Sequence, residues 1–196
     1  MFSEYTERVE ITEEKLLSNN WYVLKRFTFN YLGKNGEWTS QQREAYDRGN
    51  GATILLHNPK TDTVILTRQF RLPTFVNGNP TGMLIETCAG LLDDEDPDDA
   101  IRRETEEETG YRIQSVEKVM EAYMSPGSVT EKLFFYVAEY SADTERHVGG
   151  GIDEEEIDIL ELSVRQAMAM IDRGEIMDGK TIMLLQYLRL RQLAHP

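Results

Sequence analysis

Apolar positions along this chain fall into two regimes. Over most of the first 160 residues they gather in short runs rich in aromatic and β-branched residues, broken by glycine, proline and asparagine. Such runs predict strands over 21–32, 38–46, 52–57, 63–70, 83–89, 116–123, 132–140 and 157–162. Asn35-Gly36 marks a hairpin between the first two, and Asn58-Pro59-Lys60 a turn between the next pair. Further on, the spacing becomes helical. Ala167, Met168, Met170 and Ile171 predict a helix over 164–173, and Met183, Leu184, Tyr187 and Leu188 predict another over 181–193. The methionines read as core filler rather than ligands. No internal repeat or low-complexity linker interrupts the chain. Arg48-Gly49-Asn50-Gly51 punctuates it, dividing an N-terminal β segment, 1–47, from a main domain, 48–196. Many strands with few, separated helices predict an α+β fold rather than a regular βαβ series.

Composition narrows the function. With 196 residues and 40% hydrophobic content, the chain can bury a sizeable core. Its net charge of −14 repels nucleic acid and anionic membrane, so neither is an expected partner. One cysteine, Cys88, makes no internal disulfide and reads as a small buried hydrophobe, consistent with a reducing compartment. The N-terminal stretch lacks the apolar core of a secretion signal, and no apolar run is long enough to span a bilayer. The expected location is the cytoplasm.

One segment makes poor sense as structure alone. Asp96 is a good N-cap, Pro97 suits the first helical position, and Gly110 suits a left-handed C-terminal cap, so the limits of a helix over 97–109 are well marked. Within it, Glu104, Glu107 and Glu108 stand three and four residues apart and share one face. Like charges at that spacing cost roughly 0.2–0.5 kcal/mol per pair, and they crowd the negative end of the helix dipole. Only Arg102 and Arg103 are near enough in sequence to compensate. A solvated acidic face would explain such a helix in isolation. A hard divalent cation held by carboxylate oxygens relieves the same repulsion, and it also reconciles the acidic chain with an anionic substrate.

Ala89-Gly90-Leu91-Leu92, followed by Arg103-Glu104-x-x-Glu107-Glu108-x-Gly110-Tyr111, resembles the Nudix box, in which loop, helix and cap must match together. A one-residue contraction leaves Glu95 and Asp96 as alternatives for the first acidic position, and Thr105 stands where an apolar residue is usual. The resemblance implies an α/β/α sandwich with an N-terminal antiparallel β segment. It implies Mg²⁺, with Mn²⁺ a possible substitute, held by Glu104, Glu108 and the carbonyl of Ala89. Arg103 would orient the acids. The chemistry implied is attack of water on phosphorus to break a P–O–P bridge.

Beyond the box, the strings YDRGNGATILL, LTRQFR, VNGN, CAGLLD, EETGY, YMSPGSVTE, GGGIDEEEI and DGKT resemble the bacterial GDP-mannose pyrophosphatase subgroup. That likeness implies hydrolysis of GDP-mannose to GMP and mannose 1-phosphate by a homodimer with exchanged N-terminal segments. Trp21, Gln42, Arg43 and Glu44 would then reach the partner's nucleotide site. Arg71 rather than Arg68 would grip phosphate, the loop Ala89-Gly90-Leu91 would line the substrate, and Glu131 would face the substrate or the metal-bound water. Gly149-Gly150-Gly151 reads as a flexible hinge delivering Glu155, a further metal ligand, with Glu154 beside it. Glu107, Glu108 and Glu155 are the implied catalytic carboxylates. Lys180 is either a helix-start lysine or a phosphate or sugar contact. Hydrolysis of ADP-ribose or another ADP-sugar is the alternative activity, since the Pro126 marker is shared. A nucleotide-sugar sensor that does not cleave is the alternative of another class, and the intact acidic set argues against it.

Overall fold

The computed structural model describes residues 7–151 and 156–194. The chain forms two compact units, one of residues 1–50 with 123–132, the other of 51–122 with 133–196.

The first unit is built on an antiparallel meander of β1 (Val9–Asn19), β2 (Val23–Leu32) and β3 (Trp38–Asp47). The foreseen hairpin closes through Gly33 N–H to Glu37 O at 2.9 Å, and Gly36 takes φ 80°, which suits glycine. β1 was not among the expected strands. Val9 and Ile11 alternate with Glu10 and Thr12, a short period-two signal that register shifts at Ile11/Glu13 and Leu16/Ser18 then break. None of the three strands contains a buried residue. The turn around Pro126 joins this unit, where Tyr46 N–H donates to Ser128 O and Thr130 N–H to Tyr46 O.

The second unit carries a seven-stranded mixed sheet. Its main path runs β10 (Asp158–Ser163), β5 (Thr63–Phe70), β4 (Gly51–Asn58), β9 (Lys132–Glu139), β8 (Glu117–Tyr123), with β6 (Met83–Glu86) on β5 and β7 (Cys88–Leu91) on β4. β4 and β9 are parallel, and β4 is antiparallel to β5 and β7. Where one strand was expected over 83–89 there are two. The chain steps from one partner strand to the next at Thr87, whose N–H donates to Thr181 Oγ1 at 2.7 Å instead of to a neighbouring strand.

Among the described residues four helices complete the unit: α1 (Leu72–Val76), α2 (Pro97–Thr109), α3 (Val164–Asp172) and α4 (Gly179–Ala194). α1, a five-residue turn after Arg71, was not foreseen; Pro73 sits in its first turn and none of its residues is buried. α3 opens with a capping box between Ser163 and Gln166. Alternation along β4 assigns the layers. Ala52, Ile54 and Leu56 join Ile101 of α2 in one core cluster. Thr53 points the other way, into a buried hydroxyl chain through Thr87 to Thr181 of α4. The sheet is therefore sandwiched between α2 and α4, the α/β/α arrangement expected.

Candidate active site

α2 begins and ends as its sequence dictates. Asp96 accepts from Asp98 N–H at 2.9 Å, and Gly110 closes the helix at φ 77°. This settles which acid serves Arg103: Asp96 is spent on the cap, and Glu95 accepts from Arg103 Nε at 3.3 Å. Arg103 Nη1 donates to Glu104 at 2.9 Å and to Glu107 at 3.0 Å. Partial burial works against the Arg103 charge, but Glu104, Glu95 and Glu107 outweigh it and hold the guanidinium firmly protonated. Arg102 instead pairs with Asp99 at 2.6 Å. Thr105 fills its apolar position by donating to Ile101 O at 2.6 Å, so its hydroxyl is satisfied inside the helix.

Glu108 is 4% exposed and lies beside Cys88, whose thiol is pushed well above its usual range by burial and by the Glu108 and Glu104 charges. Glu104 lies flat on the backbone of Gly90. A Cβ at Gly90 would meet its Cδ at 1.9 Å and its Oε1 at 2.2 Å. The glycine is what lets a carboxylate of α2 settle against β7.

Gly149-Gly150-Gly151 departs from the expected hinge. It is a strap across the C-terminal end of α2. Gly150 N–H donates to Glu108 O at 2.8 Å and Gly151 N–H to Glu107 O at 3.1 Å, while Gly110 N–H takes Glu106 O. Three carbonyls that a helix end leaves open thus find donors. The strap sits so close that a Cβ on Gly149 would stand 2.6 Å from Gly110 N, and one on Gly110 would stand 2.3 Å from His147 O. These N–H groups also bring positive dipole ends to the turn where Glu107 and Glu108 crowd.

Arg71, at the end of β5, donates from Nε to Glu86 at 2.7 Å. Lys180, the second residue of α4, is buried and donates to the other oxygen of Glu86 at 2.5 Å, and it lies 3.0 Å from Asp178. Asp178 accepts in turn from Thr181 Oγ1 and N. Lys180 is therefore a helix-start lysine tied into an ionic cluster with Arg71. Sequence reasoning missed Glu86 at its centre; the available signal was a lone acid in the otherwise apolar run Met83-Leu84-Ile85-Glu86. Arg68 pairs across strands with Asp158 at 2.7 Å, a surface contact that leaves Arg71 as the inward-tied arginine.

Trp21, Gln42, Arg43, Glu44 and Glu131 lie in the first unit. Trp21 is 84% exposed in the turn between β1 and β2, at the end of an aromatic row through Tyr22 and Tyr46. Arg48 lies over the Tyr22 ring and pairs with Glu131 at 3.4 Å, so Glu131 is engaged within this unit. Gln42, Arg43 and Glu44 are exposed on β3, with Gln42 reaching Thr28 and Arg43 reaching Gln41. Glu154 and Glu155 lie outside the described residues.

Residues 47–184 match the model of the NUDIX domain, and residues 8–46 match the GDP-mannose pyrophosphatase NudK N-terminal domain. The chain belongs to the Nudix family. Among its Nudix relatives, a GDP-mannose pyrophosphatase of Pectobacterium atrosepticum is 55% identical over 93% of this chain and 95% of its own. Those of Yersinia enterocolitica and Citrobacter koseri are 54% and 50% identical, covering 95% and 97% of this chain and 97% and 100% of theirs. The crystal structure of an ADP compounds hydrolase shares the fold, with a TM-score of 0.76 and 16% identity over 95% of each chain.

Nudix hydrolases use divalent metal ions, and the donors on the Nudix helix fit a hard cation. Glu95, Glu104 and Glu107 share one guanidinium, and Glu108 adds a further carboxylate in the same turns. All are oxygen donors, the kind that Mg²⁺ takes. Among the described residues, no three His, Cys, Asp or Glu side chains converge into a metal-holding group. The helix supplies two of the expected carboxylates, Glu104 and Glu108, and the third, Glu155, is not among the described residues.

Proposed function

We propose that the chain hydrolyses GDP-mannose to GMP and mannose 1-phosphate in a Mg²⁺-dependent reaction. The observation that carries this reading is 50–55% identity over at least 93% of the chain to proteins named GDP-mannose pyrophosphatase. The seat of Glu104 on Gly90 supports it, because it sets a carboxylate of the Nudix helix against β7, the strand that also carries Ala89. Glu104, Glu108 and the carbonyl of Ala89 would hold the ion, with Glu155 a further ligand and Mn²⁺ a possible substitute. Bound metal neutralises phosphate oxygens and lowers the pKa of the attacking water. Arg71 holds a phosphate through the guanidinium nitrogens that Glu86 does not use, and Gly90 and Leu91 line the substrate beside it. Glu107, Glu108 and Glu155 bear the negative charge that receives the water's protons as its oxygen bonds phosphorus and the P–O–P bridge breaks.

Residues 1–47 read as the dimerisation segment and 48–196 as the catalytic domain. Val9, Ile11, Leu16, Leu17 and Trp38 are exposed on a sheet without a buried residue, which favours a second copy of the chain as its cover. Trp21, Gln42, Arg43 and Glu44 then serve the partner's nucleotide, with Glu131 and Glu154 as further substrate contacts. No described helix is long and apolar enough to cross a membrane, and the cytoplasm is the proposed location.

The deciding experiment incubates the purified protein with GDP-mannose, GDP-glucose, ADP-ribose and ADP-glucose in Mg²⁺ and resolves the products. GMP and mannose 1-phosphate should appear, with GDP-mannose preferred in kcat/KM. A preference for ADP-ribose would overturn the substrate, and binding without cleavage of any of the four would overturn the activity.

A further inference from the structure

The buried carboxylate of Glu86 has no place in the reaction as proposed, yet it holds two cations at once. Its residue is 3% exposed, at the end of β6, where it pairs in register with Thr67. One oxygen takes Arg71 Nε and the other takes the Lys180 ammonium. With Asp178 on Lys180, two carboxylates balance two cations. The cluster is lopsided: the side chains of Glu86 and Lys180 are 4% and 11% exposed, that of Arg71 39%. Arg71 is held through Nε alone, and its two Nη atoms have no hydrogen-bonding or ionic partner among the described residues. A planar guanidinium fixed by one edge keeps a pair of parallel N–H donors for a phosphate.

Position strengthens the argument. Glu86 and Gly90 are four residues apart, so their Cα atoms are separated by at most about 14 Å. The anchor of Arg71 and the seat of Glu104 therefore lie on one short run of β6 and β7. We infer that Glu86 is a positioning residue for substrate. It shares its carboxylate between Lys180, buried in the start of α4, and Arg71, and so aims the Arg71 guanidinium at the diphosphate. Lys180 and Asp178 brace Glu86 from behind. The inference rests on the proposed pyrophosphohydrolase reading and names a residue which that reading leaves idle.

In Glu86→Gln one oxygen becomes an amide that donates hydrogen bonds and cannot receive a cation. Lys180 keeps Asp178, so Arg71 is the cation that loses its place. The test is a double-mutant cycle in the full chain with Mg²⁺: wild type, Glu86→Gln, Arg71→Ala and the double variant, each assayed for KM and kcat on GDP-mannose and for Tm. Glu86→Gln should raise KM about tenfold or more with kcat within about threefold, the mark of a ground-state contact. The double variant should show a KM within about threefold of Arg71→Ala alone, since Glu86 has nothing to position once Arg71 is gone. An unchanged KM in Glu86→Gln, or KM effects that multiply in the double variant, would overturn the inference. If Glu86→Gln does not fold, Glu86→Asp, which keeps the charge but is too short to span both cations, takes its place in the cycle under the same criteria. If the wild type leaves GDP-mannose intact, it is the substrate reading that fails. Glu86 is then judged by the same cycle in the Kd for GDP.

Discussion

The strap of glycines across α2 can be tested by comparing two residues with the same backbone conformation and different surroundings. Gly149 has φ 63° with backbone atoms of Gly110, Thr109 and Glu108 within 2.9 Å of where its Cβ would stand. Gly174, after α3, has φ 72° and nothing within 4 Å. Alanine at either site incurs the left-handed penalty of about 1–2 kcal/mol. Only Gly149→Ala must also push the strap off the helix, since every contacting atom is backbone and none can swing aside. Separation breaks the bonds from Gly150 and Gly151 to the carbonyls of Glu108 and Glu107. Leaving such carbonyls without donors costs about 1–3 kcal/mol each. The expected totals are about 3–8 kcal/mol for Gly149→Ala and about 1–2 kcal/mol for Gly174→Ala. The two variants differ by the two carbonyls, about 2–6 kcal/mol, so at about 2–4 °C per kcal/mol for a chain of this size Gly149→Ala should melt roughly 4–24 °C below Gly174→Ala. Thermal unfolding followed by circular dichroism reads the difference directly. Equal losses of Tm in the two variants would refute the reasoning, because they would leave the backbone contact without energetic weight.

Gly90→Ala should separate stability from turnover. Its neighbour is the end of the flexible Glu104 side chain, so Tm should move by less than about 4 °C while turnover falls at least a hundredfold; normal turnover would show that Glu104 does not need its seat. Mg²⁺ should raise Tm in the wild type by binding the folded state, and Glu104→Gln/Glu108→Gln should lose most of that rise along with activity. An equal response in both would move the ion elsewhere. Glu155→Gln should lower kcat and kcat/KM together, as expected of a group that acts in the transition state, and an unchanged kcat on every substrate cleaved would remove it from the chemistry. A hydrogen bond from Arg112 holds the Glu106 carboxyl below its usual range. Its contribution to stability is present above the unfolded value of about 4.3 and is lost as pH falls through the lower folded value. NMR titration should show the Glu106 midpoint rising toward the ordinary value in Arg112→Ala, and an unmoved midpoint would refute the pairing.

What could be seen in the sequence was what neighbouring residues decide among themselves. Asp96, Pro97 and Gly110 delimit α2 through contacts made within its own ends, so the helix was legible to the residue. The triplet Glu104, Glu107, Glu108 was legible for the same reason. The glycine strap was not, because its partners lie some forty positions away and a run of glycines reads as freedom when nothing shows what it touches. Here the same lack of side chains permits close backbone contact. Thr87 hid a change of strand partner because its hydrogen bond goes to Thr181, far along the chain. β1 was obscured by bulges that break its alternation. Glu86 stood out as a charge in an apolar strand, but its cations come from β5 and α4, and no local spacing connects them.

The pairing of β4 has a consequence for how this molecule breathes. Seven of its eight residues are buried, and it is hydrogen-bonded to β5, β7 and β9. Peeling away any one of these neighbours leaves β4 held by the others, so its amide protons should exchange with deuterium only when the whole unit opens. The short turn α1, with no buried residue, should exchange by local fraying. Arg71 stands between these extremes, following β5, which pairs with β4, and preceding the fast turn. The side of the site proposed to grip phosphate thus borders a segment free to flicker, while β7, which carries Ala89 and Gly90, shares the protection of the slowest strand.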